Sequence, residues 1–233
     1  MPGITQAGGF TITSPPAAAA DRASPYLELA VQESPGNPPA AWLWGRESDI
    51  LGQTLQVRVG GSFTFPPSRG LDGIRTVVFV AGGVGINPIM SMLSHVGQSR
   101  GKDLGEQVLW DPAVEFKVAY ASRVGEGGVG EVLFLPRITE LLQSGQVNGS
   151  LFLFLTGAGG GTEAESRPAA HVGYQLQNQR IASEDLRALV DDPKHCLVYI
   201  CGPPTMTDGI ESFLTSAEGL AMSPSHVITE KWW

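Results

Sequence analysis

The chain has few of the residues that bind metals or cross-link a backbone. It carries two cysteines, Cys196 and Cys201, on what reads as one strand. Their odd separation points them to opposite faces, so they are not expected to pair. No secreted disulfide framework, metal site or iron–sulfur cysteine set is evident. The four histidines, His95, His171, His195 and His226, show no ligand spacing and are read as structural or surface residues. Basic residues are also scarce. Fifteen Lys and Arg stand against 23 Asp and Glu, a net charge of −8, and they are scattered, which argues against nucleic acid as a partner. The acidic balance favours solubility and names no substrate. No apolar run is long enough to span a bilayer, so no transmembrane segment is expected. Residues 1–5 lack the apolar core of a signal peptide and the Arg-rich amphipathic stretch of a transit peptide. An intracellular location, cytoplasmic or mitochondrial, is therefore expected, with any transit peptide upstream of Met1.

What the sequence has in quantity is glycine placed between apolar runs. Residues 77–88 read Val-Val-Phe-Val-Ala-Gly-Gly-Val-Gly-Ile-Asn-Pro. A β-branched and aromatic run predicts a buried strand, and Gly82, Gly83 and Gly85 predict a sharp turn. Asn87 is a good helix N-cap and Pro88 a good first helical residue. Ile89, Met92, Leu93 and Val96 follow at helical spacing. Glycines let a backbone approach a bulky anion, and a helix N-terminus presents unpaired N–H groups to it. The strict G-x-G-x-x-G fingerprint is not met, because Pro88 holds its last position. From this segment alone, a diphosphate site and an ordinary tight connection are both open.

A second strand–turn–helix runs Leu197-Val198-Tyr199-Ile200-Cys201-Gly202-Pro203-Pro204-Thr205-Met206. Thr205 and Asp208 suggest a capping box, and Met206, Ile210, Phe213 and Leu214 an apolar helix stripe. The two motifs in this order, with the closing Glu230-Lys231-Trp232-Trp233, resemble the ferredoxin–NADP reductase superfamily of flavin- and nicotinamide-dependent reductases. Within it the chain is similar to the oxidoreductase NAD-binding domain-containing protein subfamily. That likeness extends to Gly8-Gly9-Phe10, Asn37-Pro38-Pro39-Ala40 and Arg58-Val59-Gly60-Gly61, and so covers nearly the whole chain.

The chain length suits one large domain or two small ones. Residues 1–72 read as β-rich, with strands over 10–13, 26–31 and 54–59, a loop at the Pro15-Pro16-alanine run, a short helix over 40–44, and Phe63 to Pro66 closing the unit. Residues 73–233 alternate. Strands are expected over 77–81, 115–120, 151–155, 197–200 and 227–229. Helices are expected over 88–97, 130–143 (bent or delayed by Pro136), 183–190 (capped by Ser183) and 206–217. Residues 98–113 and 157–179 read as loops, the second as a mobile one. The expected fold class is α/β: a doubly wound parallel-sheet nucleotide-binding domain, residues 73–233, preceded by a partial antiparallel β-barrel of the flavin-domain type, residues 1–72. Both glycine motifs would sit beyond the strands' carboxyl ends, where such sheets bind ligands.

The resemblance assigns roles to particular residues. Gly82, Gly83, Val84 and Gly85, with Asn87 and Pro88 behind them, would carry the diphosphate of a nicotinamide dinucleotide. Gly202, Pro203 and Met206 would flank its ribose and nicotinamide, and Cys201 would lie at the hydride-transfer site. Ser122 and Arg123 stand where NADP-dependent members grip the 2′-phosphate, and they have the donors for it; NAD and NADP both stay open. Trp232 or Trp233 would cover the flavin or nicotinamide ring, and Glu230 would help position nicotinamide or a proton. The family reads FAD with an Arg-x-Tyr-Ser strand, which here is Gly8-Gly9-Phe10-Thr11: Phe10 keeps the ring, Thr11 a hydroxyl, and the arginine is absent. The serine expected at the flavin diphosphate is Ala40, after two prolines that have no N–H. The chain opens where the family's barrel is about half built. Either a longer reading frame supplies the remaining strands, which is the preferred expectation, or a short form binds flavin poorly. The implied function is a flavin-dependent NAD(P)H oxidoreductase with a separate electron acceptor. The alternative is an NAD(P)-binding module without turnover.

Overall fold

The computed structural model describes residues 1, 3–99, 110–157 and 173–231. Its centre is a six-stranded parallel sheet. The strands are β1 (Thr76–Gly82), β2 (Glu115–Arg123), β3 (Gly149–Thr156), β4 (Gln175–Gln177), β5 (Cys196–Gly202) and β6 (Val227–Lys231). Their order is β4-β3-β2-β1-β5-β6, and every neighbouring pair is parallel. All seven residues of β1 and all seven of β5 are buried. A parallel strand covered on both faces requires that continuous apolar run.

The helices that cover the sheet are α4 (Ile86–Ser99), α5 (Leu135–Gln143), α6 (Ser183–Leu189) and α7 (Pro204–Thr215). Helices α4 and α5 share one core with Val77, Phe79, Val118 and Tyr199. Residues of α6 and α7 share the other with Val78, Val80, Val198 and Ile200. The chain runs β1 to β4 in one direction and then returns to place β5 on the far side of β1. The reversal leaves a crevice between the carboxyl ends of β1 and β5, the position where open α/β sheets bind ligands.

Several boundaries differ from expectation, each for a local reason. Gly83–Gly85 form a 3₁₀ turn whose carbonyls accept the Ile86 N–H, so the turn runs straight into α4. Asn87 is consequently inside the helix and does not cap it. Helix α5 starts only at Leu135, after a 3₁₀ turn at Gly128–Glu131, and Pro136 lies in its first turn, where a missing N–H is harmless. Pro203 is the N-cap of α7, so Thr205 is a helical residue and the capping box with Asp208 does not form. Ala182, not Ser183, caps α6, and the Asp185 carboxylate accepts the Ala182 N–H at 2.8 Å. Strand β4 occupies part of the expected loop 157–179, and residues 158–172 of that loop lie outside the described residues.

The expected partial barrel is not formed. Among the described residues of 1–72 there is no strand, only one antiparallel bridge between Ile12 and Leu29. Residues 54–59 keep their alternating pattern but have no ladder partner, and Val57 and Val59 are 65% and 71% exposed. Three short helices are present instead: α1 (Pro16–Ala19), α2 (Pro38–Leu43) and α3 (Glu47–Ile50). Phe63 and Phe65, expected to close the N-terminal unit, pack on the sheet's core. Phe63 meets Tyr199 edge-on at 5.3 Å, and the Tyr199 hydroxyl donates to the Thr64 carbonyl at 2.8 Å.

Candidate functional site

Two glycine turns meet at the crevice. An added Cβ on Gly202 would lie 3.2 Å from Gly82 Cα, and one on Gly82 would lie 2.8 Å from Met206 Cε. A Cβ on Gly85 would run into the Cys201 carbonyl. The two turns therefore touch through bare backbone, and only glycine allows that approach. Gly83 has a different reason. Its φ is +53°, a left-handed conformation, and its Cβ position faces open space. The turn is tight against β5 on one side and free on the other. It leads into α4, where the Ile86 N–H is already bonded to the Gly83 and Val84 carbonyls and Pro88 has no N–H. The open side of the turn is therefore its glycine backbone at Gly83.

The second turn is held from within α7. Pro203 O accepts the N–H groups of Met206 and Thr207, each at 3.0 Å. The buried Thr207 hydroxyl donates to Pro204 O at 2.9 Å. Met206 lays the end of its side chain over Gly82 and Gly202. Cys201 is fully buried and lies in register with Ala81 on one side and Glu230 on the other. Neither Cys201 nor Cys196 is in a disulfide, and burial pushes the Cys196 thiol up to about 12. Glu230 is half-buried at the sheet's carboxyl edge, and burial raises its carboxyl above the usual range. Lys231, the next residue, turns to α7 and pairs with Asp208 at 2.6 Å.

Ser122 and Arg123 end β2, the strand beside β1. Ser122 is hydrogen-bonded to the buried phenol of Tyr120, which burial pushes up to about 12. Arg123 is exposed. The structure thus brings Gly82, Gly83, Val84, Gly85, Cys201, Gly202, Pro203, Met206 and Glu230 to one crevice, with Ser122 and Arg123 at its β2 side. Asn87 and Pro88 are buried behind the turn. Trp232 and Trp233 lie outside the described residues. Of the histidines, His195 pairs with Asp192 at 2.7 Å and His226 Nδ1 lies 3.0 Å from the Cys196 carbonyl. His95 stacks edge-on to Trp110.

Phe10 and Thr11 are half-buried on the N-terminal segment. That segment is tied to the α4–α5 face by contacts the sequence gives no sign of. The Ser91 hydroxyl donates to Ser14 O at 2.8 Å, Asn87 Nδ2 to Ala30 O at 2.9 Å, and Arg137 to both oxygens of Glu28. These pairs are 57 to 109 positions apart, and each joins ordinary polar residues without a local motif. The residues present do not fit a flavin diphosphate. A Cβ on Gly8, where an arginine stem would begin, would lie 2.8 Å from both Phe10 Cε2 and Pro39 Cβ. Pro38 and Pro39 have no N–H, and the Ala40 N–H is taken by Asn37 Oδ1 at 3.4 Å.

No family model matches the chain. Among curated proteins it is 32% identical over 233 residues to the human oxidoreductase NAD-binding domain-containing protein 1, covering 100% of this chain and 68% of that protein. It is 32% identical to the Xenopus tropicalis protein of that name, covering 100% and 67%. The electron transfer component of 2-halobenzoate 1,2-dioxygenase from Burkholderia cepacia matches at 24% identity, with 56% of that protein covered. Two solved structures share the fold at 13% identity and a TM-score of 0.54, each covering 96% of this chain and 76% of the other. They are the FAD/NAD-binding domain of Vibrio cholerae nitric oxide dioxygenase and a mutant Plasmodium falciparum ferredoxin–NADP⁺ reductase with 2′P-AMP. With a ferredoxin-reductase-like sheet and 32% identity across its whole length, the chain belongs to the oxidoreductase NAD-binding domain-containing protein 1 family.

Proposed function

We propose that this chain is an NAD(P)H oxidoreductase of the flavin-dependent class whose dinucleotide site lies in residues 73–233, with the flavin not held through Gly8, Pro38, Pro39 and Ala40, which do not fit its diphosphate. The single observation that carries the reading is the pair of glycine turns meeting at the switch point, with Gly83 left-handed and open above the N-terminus of α4. Gly82, Gly83, Val84 and Gly85 would receive the diphosphate through backbone N–H groups. Gly202, Pro203 and Met206 would bound the nicotinamide ribose, and Cys201 would back the nicotinamide ring. Glu230, its carboxyl raised by burial, would hold a proton or orient the nicotinamide beside Cys201. Ser122 and Arg123 would meet the adenosine ribose or its 2′-phosphate. Reduced nicotinamide supplies a hydride when bound. The chain's own contribution is to fix and orient it. Electrons would leave for a separate acceptor.

A second reading, an NAD(P)-binding module without flavin turnover, is favoured by the misfit at Gly8, Pro38, Pro39 and Ala40. The visible spectrum decides between them. Purified protein incubated with FAD should be yellow and bleach on addition of NADH or NADPH. Protein that stays colourless but binds NADH by calorimetry establishes the second reading, and protein that binds no nicotinamide nucleotide overturns both.

A further inference from the structure

Among the described residues, Asn87 Oδ1 is the only buried side-chain nitrogen or oxygen without a hydrogen-bond partner. Asn87 is 4% exposed. Its amide orientation is set by the other end: Nδ2 donates to Ala30 O at 2.9 Å, and a reversed amide would set two acceptors against each other. Folded proteins rarely leave such an atom unmet. The residue lies in the first turn of α4, two positions past Gly85.

The chemistry of the atom narrows what can meet it. An amide oxygen only accepts, and so do phosphate oxygens. Asn87 Oδ1 therefore plays no part in gripping a diphosphate, although its neighbours at the turn can. It needs an N–H or O–H. Leu197 and Tyr199 belong to the core under α4, and by strand alternation Cys201 points to that same face. Glu230 lies beside Cys201 in register. The orphan acceptor is thus on the sheet face where the proposed function sets the nicotinamide, and the nicotinamide carboxamide is a planar N–H₂ donor.

We propose that Asn87 reads the nicotinamide: Nδ2 holds the Ala30 carbonyl of the N-terminal segment, and Oδ1 accepts a hydrogen bond from the carboxamide N–H₂ of the bound dinucleotide. One side chain then joins the N-terminal segment, the glycine turn and the reactive ring. This rests on the reading of the crevice as a nicotinamide dinucleotide site.

The test is calorimetric titration of the full chain with NAD⁺ or NADP⁺, whichever binds more tightly. The same titration is run with the matching 3-acetylpyridine analogue, in which a methyl replaces the N–H₂, and with ADP-ribose, which has no nicotinamide. Wild type should prefer the natural dinucleotide over the analogue about tenfold, the effect of one neutral hydrogen bond. In Asn87→Leu that preference should vanish while ADP-ribose affinity is unchanged, which also shows the turn to be folded. Should the leucine variant not fold, Asn87→Thr keeps an acceptor on a shorter side chain and should show an intermediate preference. A wild type indifferent to the N–H₂ overturns the assignment, as does a leucine variant that keeps the full preference. A folded variant that loses ADP-ribose affinity as strongly as NAD⁺ affinity also overturns it, in favour of a ribose hydroxyl. Failure of wild type to bind ADP-ribose or any dinucleotide removes the site itself, and is thereby distinguished from failure of the Asn87 assignment.

Discussion

The two parts of this chain carry apolar patterns of similar strength and meet different fates. In residues 76–82 and 196–202 each strand has a neighbour on both sides and a helix layer on both faces. Residues 54–59 alternate Leu55, Val57 and Val59 with polar residues as cleanly as any half-buried strand, yet stay unpaired and exposed. The difference teaches that periodicity is half of what makes a strand. The other half is a ladder partner for every second N–H and C=O, and a surface to cover the apolar side. The N-terminal part is ordered where it borrows those from the sheet domain: Phe63 and Phe65 on the core, Thr64 under Tyr199, and Thr13 to Ala30 on the α4–α5 face.

The sharpest way to probe that contrast is at the turn contact. Gly85→Ala drives a Cβ into the Cys201 backbone carbonyl, which cannot yield, and should cost about 3 kcal/mol or more in urea unfolding. Gly82→Ala meets the flexible end of Met206, which can swing away, and should cost about 1 kcal/mol. Equal midpoints for the two variants would mean that the turns do not touch through backbone.

The tie between the two parts is weaker and depends on pH. Burial pushes the Glu28 carboxyl up, but hydrogen bonds from Arg137 and Thr13 and the charge of Arg137 outweigh it, and the net shift is downward. A carboxyl lowered in the folded state stabilises above its unfolded value and loses that contribution as pH falls through its folded value. Because both partners are more than a third exposed, Glu28→Gln should cost less than about 1 kcal/mol at neutral pH. The gap between variant and wild-type melting curves should close as the solution is acidified through the lowered folded-state value of Glu28. A gap that widens on acidification would break the assignment.

The smallest effect is expected where the pattern has no partner. Val57→Thr should change stability by no more than about 0.5 kcal/mol, because Val57 is already exposed. A loss of about 2 kcal/mol in the same melting experiment would show that residues 54–59 are covered in solution.

Much of the sheet domain was legible from local signals. The apolar runs at 77–81, 115–120, 151–155 and 197–200 each lie within an observed strand, and the two glycine turns fall at strand ends. Helix starts were less legible, because Asn87, Thr205 and Ser183 are all good caps in isolation. Each lost that role to the geometry of the preceding turn: the 3₁₀ turn before α4, Pro203 before α7, and the Asp185 carboxylate on Ala182. Strand β4 was illegible because three residues rich in Gln carry no apolar pattern and owe their conformation to the edge of β3.

At the candidate site, the sequence by itself determined which residues have no side chain to obstruct a close approach. Glycine at 82, 83, 85 and 202 is a property of composition and position. Only the tertiary structure decided that Gly82 and Gly202 face each other, that Gly85 rests on the Cys201 carbonyl, and that Asn87 is buried with one end bonded to Ala30. The physical reason is range. Turn and helix preferences act over a few residues, whereas these contacts join positions 57 to more than 100 apart, and those between the two glycine turns exist only once the crossover from β4 to β5 has set the order of the sheet.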